Sequence, residues 1–231
     1  MNNFDCTISL GYNCYPCMQD EKKKGIISKN YFFDDIATPA WAIKELLVND
    51  FNGFFDASQY EKIKLFDDSN YEFLTNKQYY MRFTSQYQIN KLNSAFDMFR
   101  RRKLNFVNSF QSGNKVLFIR YEEPMVSDIP KIAGNRIIYP EYAEKYSKNE
   151  LDHLAELSTY LQTTYPAFNF NIMFIGNSQS ANYELAYNKD SKIFTIPNKN
   201  ITTGNYDQVF NQIFSEHGAF INSSLNPTPT P

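Results

Sequence analysis

Along the 231 residues, apolar positions fall into short runs that alternate with helical stripes. Phe4 to Leu10 is a short β-rich run ending at Gly11, and Asn13 follows as an N-cap. A helix is predicted from Cys14 to Lys24, stopped by Gly25. Tyr31-Phe32-Phe33 reads as a second strand, closed by Asp34-Asp35. Thr38-Pro39 then opens a helix, with Thr as N-cap and Pro at the first helical position. Trp41, Ile43, Leu46, Leu47 and Phe51 continue it at helical spacing. From Ile63 to Phe83 aromatic and polar residues alternate loosely, as in one or two short hairpin strands. A long helix is predicted over 89–110, with Leu92, Phe96, Phe99, Leu104, Val107 and Phe110 on one stripe. Ser112-Gly113-Asn114 stops it.

Three further runs are continuously apolar, as in strands buried on both faces: 115–120, 171–176 and 192–197. Between the first two lies a helical pattern at 150–165, carried by Leu151, Leu154, Leu157 and Leu161 and ended before Pro166. A last helix is predicted from Tyr206 to Glu216, with Val209, Phe210 and Ile213 inward. Strand–helix alternation of this kind predicts an α/β fold: a single doubly wound, mostly parallel, Rossmann-like sheet with flanking helices. The domain is expected to span 1–222. The Pro/Thr-rich residues 223–231 form either a semi-rigid linker to a further domain of the chain or a disordered terminus.

Charge narrows the function classes. Lys+Arg 23 against Asp+Glu 25 gives a net charge of -2, so no long-range field draws the chain to nucleic acid or an anionic membrane. No apolar run approaches the roughly 20 residues that a membrane span needs. The amino-terminal residues lack the basic and apolar regions of a signal peptide, and a cytoplasmic location is expected. Three cysteines, Cys6, Cys14 and Cys17, fall within twelve residues and make no disulfide framework. Cys14-Tyr15-Pro16-Cys17 has the C-x-x-C form of a zinc half-site or a redox pair. The two histidines, His153 within a predicted helix and His217 at the end of the last one, are read as solvated helix residues and are not spaced to complete a zinc site, so no metal is expected and a structural role for the cysteines is favoured.

In parallel α/β sheets ligands bind beyond the carboxyl ends of the strands. The residues to watch therefore follow the predicted strands. Gly11 and Asn13 open a helix whose backbone N–H groups suit a diphosphate. Asp34 and Asp35 either supply a base for an acceptor hydroxyl or cap the next turn. Arg120 either clamps a leaving diphosphate or pairs with Glu122, Glu123 or Asp34. Glu122, Asn177 and Ser178 are further donor contacts, and Arg101 and Arg102 the anion-binding candidates within Arg100-Arg101-Arg102-Lys103. Together they predict a transferase, most plausibly a glycosyltransferase, taking a nucleoside-diphosphate sugar to a glycan or protein acceptor. The competing readings are a thiol hydrolase with Cys14 as nucleophile, and a non-catalytic binding module.

Ile8-Ser9-Leu10-Gly11-Tyr12-Asn13-Cys14, Phe33-Asp34, Asn49-Asp50-Phe51, Arg101-Arg102 with Phe106, and Leu117-Phe118-Ile119-Arg120 form an ordered string. It resembles the DUF1796 family, described as papain-like cysteine peptidases, whose members open with Ser-Leu-Gly-x-x-Cys. The likeness covers the first 120 residues best. It implies that Cys14 is a nucleophile, ionised by a helix N-terminus and a histidine. Where such relatives carry Asp-Trp this chain has Asp34-Asp35. Their His-Asp-Phe element reads Met81-Arg82-Phe83-Thr84 here, and Gly176-Asn177-Ser178 stands where a further histidine is usual.

Overall fold

The computed structural model describes residues 4–11, 31–34, 36–64, 72–83, 92–111, 113–122, 149–177, 183–198 and 206–225. In chain order the first elements are β1 (Cys6–Ser9), β2 (Ile36–Ala37), α1 (Ala40–Val48), β3 (Tyr60–Lys64), β4 (Glu72–Asn76), β5 (Met81–Phe83) and α2 (Leu92–Ser109). They are followed by β6 (Val116–Tyr121), α3 (Glu150–Thr164), β7 (Phe170–Asn177), β8 (Ala186–Asn188), β9 (Ile193–Asn198) and α4 (Tyr206–Leu225).

The β-rich run at 4–10 and the three continuously apolar runs become β1, β6, β7 and β9, and they lie parallel in one sheet of order β1-β6-β7-β9-β8. β8 is an antiparallel edge strand. Register pairs Ser9 with Ile119, Tyr121 with Ile175 and Asn177 with Asn198, so the four carboxyl ends finish along one edge. The expected mostly parallel α/β sheet is therefore present. A doubly wound sheet reverses its strand order at a switch point. Here each described parallel strand is added on the same side of the one before, and the order holds no reversal.

Side chains alternate across a strand, so each face gathers its own core. Val116 and Phe118 join Ile8, Leu10, Phe170, Ile172 and Phe174 with residues of α1, α2 and α3. Leu117, Ile119 and Tyr121 join Met173, Ile175, Phe194 and Ile196 with Ile213 and Ile221 of α4. A separate antiparallel sheet, β2-β5-β4-β3, holds the expected hairpin strands between 60 and 83.

Four local expectations are corrected. Tyr31–Asp34 is a turn: Asp34 N–H donates to the Tyr31 carbonyl at 3.2 Å. Phe32 and Phe33 are buried from that turn against the rings of Phe51 and Phe106. An apolar triplet is too short to separate strand from turn, and the strand is Ile36–Ala37 instead. α1 begins at Ala40 after Pro39, without a side-chain cap, so Thr38 is not its N-cap. On α2 the inward stripe runs through Phe99, Arg102 and Phe106, while Leu104 is 59 % exposed. Leu104 lies five residues past Phe99, about 140° around the helix. α4 extends to Leu225, three residues into the anticipated tail. The helix predicted at Cys14–Lys24 and residues 226–231 lie outside the described residues. Among the described residues no helix is long and apolar enough to cross a membrane.

Candidate functional site

Arg120 is the fifth of six residues in β6, and alternation turns it to the same face as Val116 and Phe118. It is fully buried. A guanidinium in that position must be paired and hydrogen-bonded, or its desolvation would be prohibitive. Nε and Nη2 donate to the two carboxylate oxygens of Glu150, at 3.1 and 2.7 Å. Nη1 donates to the carbonyls of Leu10, at 3.1 Å, and Thr38, at 2.6 Å. One side chain thereby joins the end of β1, the approach to α1 and the first residue of α3. Glu150 also complements the positive end of the α3 dipole, and the Asn149 side chain caps that helix through the Leu151 N–H at 2.9 Å. The anticipated diphosphate clamp is thus an internal joint closed off from solvent, and Glu150 supplies its carboxylate.

Gly11 closes the turn beneath this joint. Its φ is +85°, and a Cβ there would stand 2.9 Å from Thr38 Cβ and 3.0 Å from Thr38 Oγ1. Glycine is required by both the backbone and the close approach. The Gly11 N–H donates to Ser9 Oγ at 3.1 Å, so within the described residues it serves the turn. Asp34 is likewise occupied: its Oδ2 accepts the Tyr31 N–H at 2.7 Å, and its carbonyl accepts from Arg102 Nη1 at 2.8 Å. Both residues are buried. The Asp34 carboxylate thus closes the turn behind it and not the next turn, as the capping alternative had it, and Arg102 serves as a backbone clamp reaching from α2.

The rest of the cationic run points around the helix. Arg100 pairs with Asp97 at 2.7 Å and Lys103 with Asp50 at 2.6 Å, while Arg101 is exposed. Arg101 and Arg102 therefore do not share a site. His153, expected on a solvated helix face, is buried one turn beyond Glu150 in α3. His217 is half-buried, with Nε2 3.9 Å from Glu216 Oε2.

Glu122 is the acidic residue that the structure brings to the carboxyl edge of the sheet. Its N–H donates to the Ile175 carbonyl at 2.9 Å, extending the β6–β7 ladder by one residue. Its carboxylate is buried, and Oε1 accepts the Tyr183 hydroxyl at 2.6 Å. Burial first, then the bond to Glu122 and its charge, pushes the Tyr183 hydroxyl well above the ordinary tyrosine value, so it stays a donor. The Tyr183 ring stands edge-on to Phe174 at 5.2 Å and lies over Gly176, where a Cβ would meet the ring at 2.1 Å. Sequence reasoning missed Tyr183 and Glu150, which follow no apolar strand; Gly176, inside a strand run, was the one local sign of a close approach.

Gly11, Glu122 and Asn177 thus share one edge, with Arg120 buried just beneath. Asn13, Cys14, Asp35 and Ser178 lie outside the described residues. Among the described residues no cluster of His, Cys, Asp or Glu could hold a metal ion. Comparison with protein-family models, with curated proteins and with solved structures returned no match.

Proposed function

We propose that the chain is a transferase that takes a nucleotide-linked donor, a nucleoside-diphosphate sugar above all, at the carboxyl edge of its parallel sheet. The supporting observation is the register of β1, β6, β7 and β9, which brings the residues following separate strands to one edge. That edge is where parallel α/β sheets take ligands. The reading does not require a doubly wound order, because it uses only the common edge. Asn13 and Ser178, which lie outside the described residues, are the diphosphate contacts that the sequence offers on this reading. Arg120 and Glu150 hold the floor rigid and touch no substrate.

Thermal-shift and calorimetric titration with UDP, GDP, CDP and dTDP and their hexose conjugates tests this. Stabilisation of about 2.7 kcal/mol at a hundredfold excess over Kd is the expected size. No stabilisation by any of them sinks the reading.

A second reading is a thiol hydrolase with Cys14 as nucleophile and His153 or His217 as base; His153 is buried on α3 one turn from Glu150. Rapid alkylation of Cys14 by iodoacetamide at neutral pH, slowed in His153→Ala, is the result expected of that chemistry. Alkylation at the rate of an ordinary thiol removes it.

A further inference from the structure

The general base of the proposed transfer was anticipated at Asp34 or Asp35; the Asp34 carboxylate instead holds a turn together, and Asp35 lies outside the described residues. From the geometry of the carboxyl edge we infer that Glu122 is the general base and Tyr183 the residue that positions it. The inference rests on the transferase reading and names the residues that act in it.

A base for an acceptor hydroxyl needs a carboxylate at the ligand edge, held in one rotamer and kept ionised. Glu122 follows β6 directly and is fixed at its backbone by the Ile175 carbonyl. Its side chain is fixed at Oε1 by the Tyr183 hydroxyl, which donates at 2.6 Å. Tyr183 is itself locked by Phe174 and by the absence of a side chain at Gly176. An orienting donor held by a rigid support is how a functional carboxylate keeps its geometry. In the reaction the acceptor O–H bond breaks and its proton passes to Glu122. The acceptor oxygen forms a bond to the anomeric carbon of the sugar. The bond from that carbon to the diphosphate oxygen breaks, and its electron pair leaves with the nucleoside diphosphate. Water serves as acceptor when no hydroxyl compound is supplied, so turnover is read as nucleoside diphosphate released.

The test compares wild type, Glu122→Gln and Tyr183→Phe for affinity and turnover with UDP-, GDP- and dTDP-linked hexoses, with a thermal melt of each variant. For Glu122→Gln a turnover loss of about 10²–10⁴-fold with donor affinity nearly intact is expected, because a base acts in the transition state. For Tyr183→Phe turnover should fall about tenfold with the KM for donor nearly unchanged, because a loosened base misplaces the reacting atoms without touching the donor. A merely structural tyrosine would lower the melting temperature and leave the turnover of the folded protein unchanged. Turnover of Glu122→Gln within twofold of wild type overturns the inference and leaves the transferase standing. Loss of donor binding in that variant also overturns it, making Glu122 a binding residue. If Glu122→Gln fails to fold, turnover of folded Tyr183→Phe within twofold of wild type overturns it. Wild type that neither binds nor cleaves any donor overturns the transferase reading together with this one.

Discussion

The two faces of the parallel sheet are made from alternate residues of the same strands, yet they hold their neighbours in different ways. On the face of Val116 and Phe118 the core is aromatic. Phe106, Phe110, Phe118, Phe168 and Phe170 form a chain of ring contacts between 5.0 and 6.5 Å. Arg120 and Glu150 add directional bonds at its carboxyl end. On the other face Leu117, Ile119, Met173, Ile175 and Ile196 meet Ile213 and Ile221 of α4 through largely aliphatic contact. Non-directional packing stabilises a helix against a sheet but tolerates small displacements. A buried guanidinium with four directional hydrogen bonds does not, so the ionic face fixes how β1, α1 and α3 meet. The candidate site lies beside that face.

The largest test of the contrast is Arg120→Ala. It leaves Glu150 buried without its cation and should destabilise the protein by about 3–5 kcal/mol in urea unfolding. The double replacement Arg120→Met with Glu150→Met should lose much less than Arg120→Ala, because both charges leave together. Equal losses would mean that the joint contributes packing and not charge.

On the aliphatic face, Ile175→Ala should cost about 2–5 kcal/mol, as a transfer and cavity effect. Its partial rescue by refilling with valine would mark that face as tolerant, where Arg120→Lys, which cannot reproduce the fork, should not rescue. Gly11→Ala should follow at about 1–3 kcal/mol, from the positive φ and the Thr38 contact. A neutral result there would show that the turn relaxes freely.

The smallest change at neutral pH is expected for Tyr60→Phe, which removes the bond to the Phe54 carbonyl at 2.6 Å, about 0.5–1.5 kcal/mol. Its signature lies in alkali. Burial holds the Tyr60 hydroxyl protonated far above the ordinary value, an effect only partly offset by Asn76. In the unfolded chain tyrosine ionises near pH 10, roughly its unperturbed value. The stability that Tyr60 contributes is therefore complete below that pH and is lost as pH rises above it. Denaturation midpoints between about pH 9 and 11 should fall less steeply in Tyr60→Phe than in wild type.

The strands of the parallel sheet were legible because continuous apolar runs such as Val116–Ile119 and Ile172–Ile175 have few alternatives to burial on both faces. The position of Arg120 at a strand end was legible too, but its partner was not. Glu150 stands 30 residues on, across a sequence interval with no signal linking the two. The exchange of Arg102 for Leu104 on the inward stripe followed from helical phase, yet hydrophobicity alone favoured the leucine. Tyr31–Asp34 failed for the opposite reason: its apolarity was real, and its backbone conformation was set by the Asp34 carboxylate on the Tyr31 N–H.

Local sequence by itself determined which segments must be buried, where the long helices run and that the chain carries its polar residues just beyond its strands. Apolar periodicity is a property of neighbouring residues, and the solvent reads it in the same way wherever the segment lies. Only the tertiary structure decided which of those polar residues hold the fold and which face the candidate site. Arg120, Asp34 and Gly11 resemble ligand contacts in sequence, but Arg120 and the Asp34 carbonyl find partners from distant segments and Gly11 packs closely on Thr38, while Glu122 meets Tyr183 only because Gly176 lets the ring close over it. Hydrogen bonds and ion pairs depend on the position of both partners, and half of that information lies elsewhere in the chain.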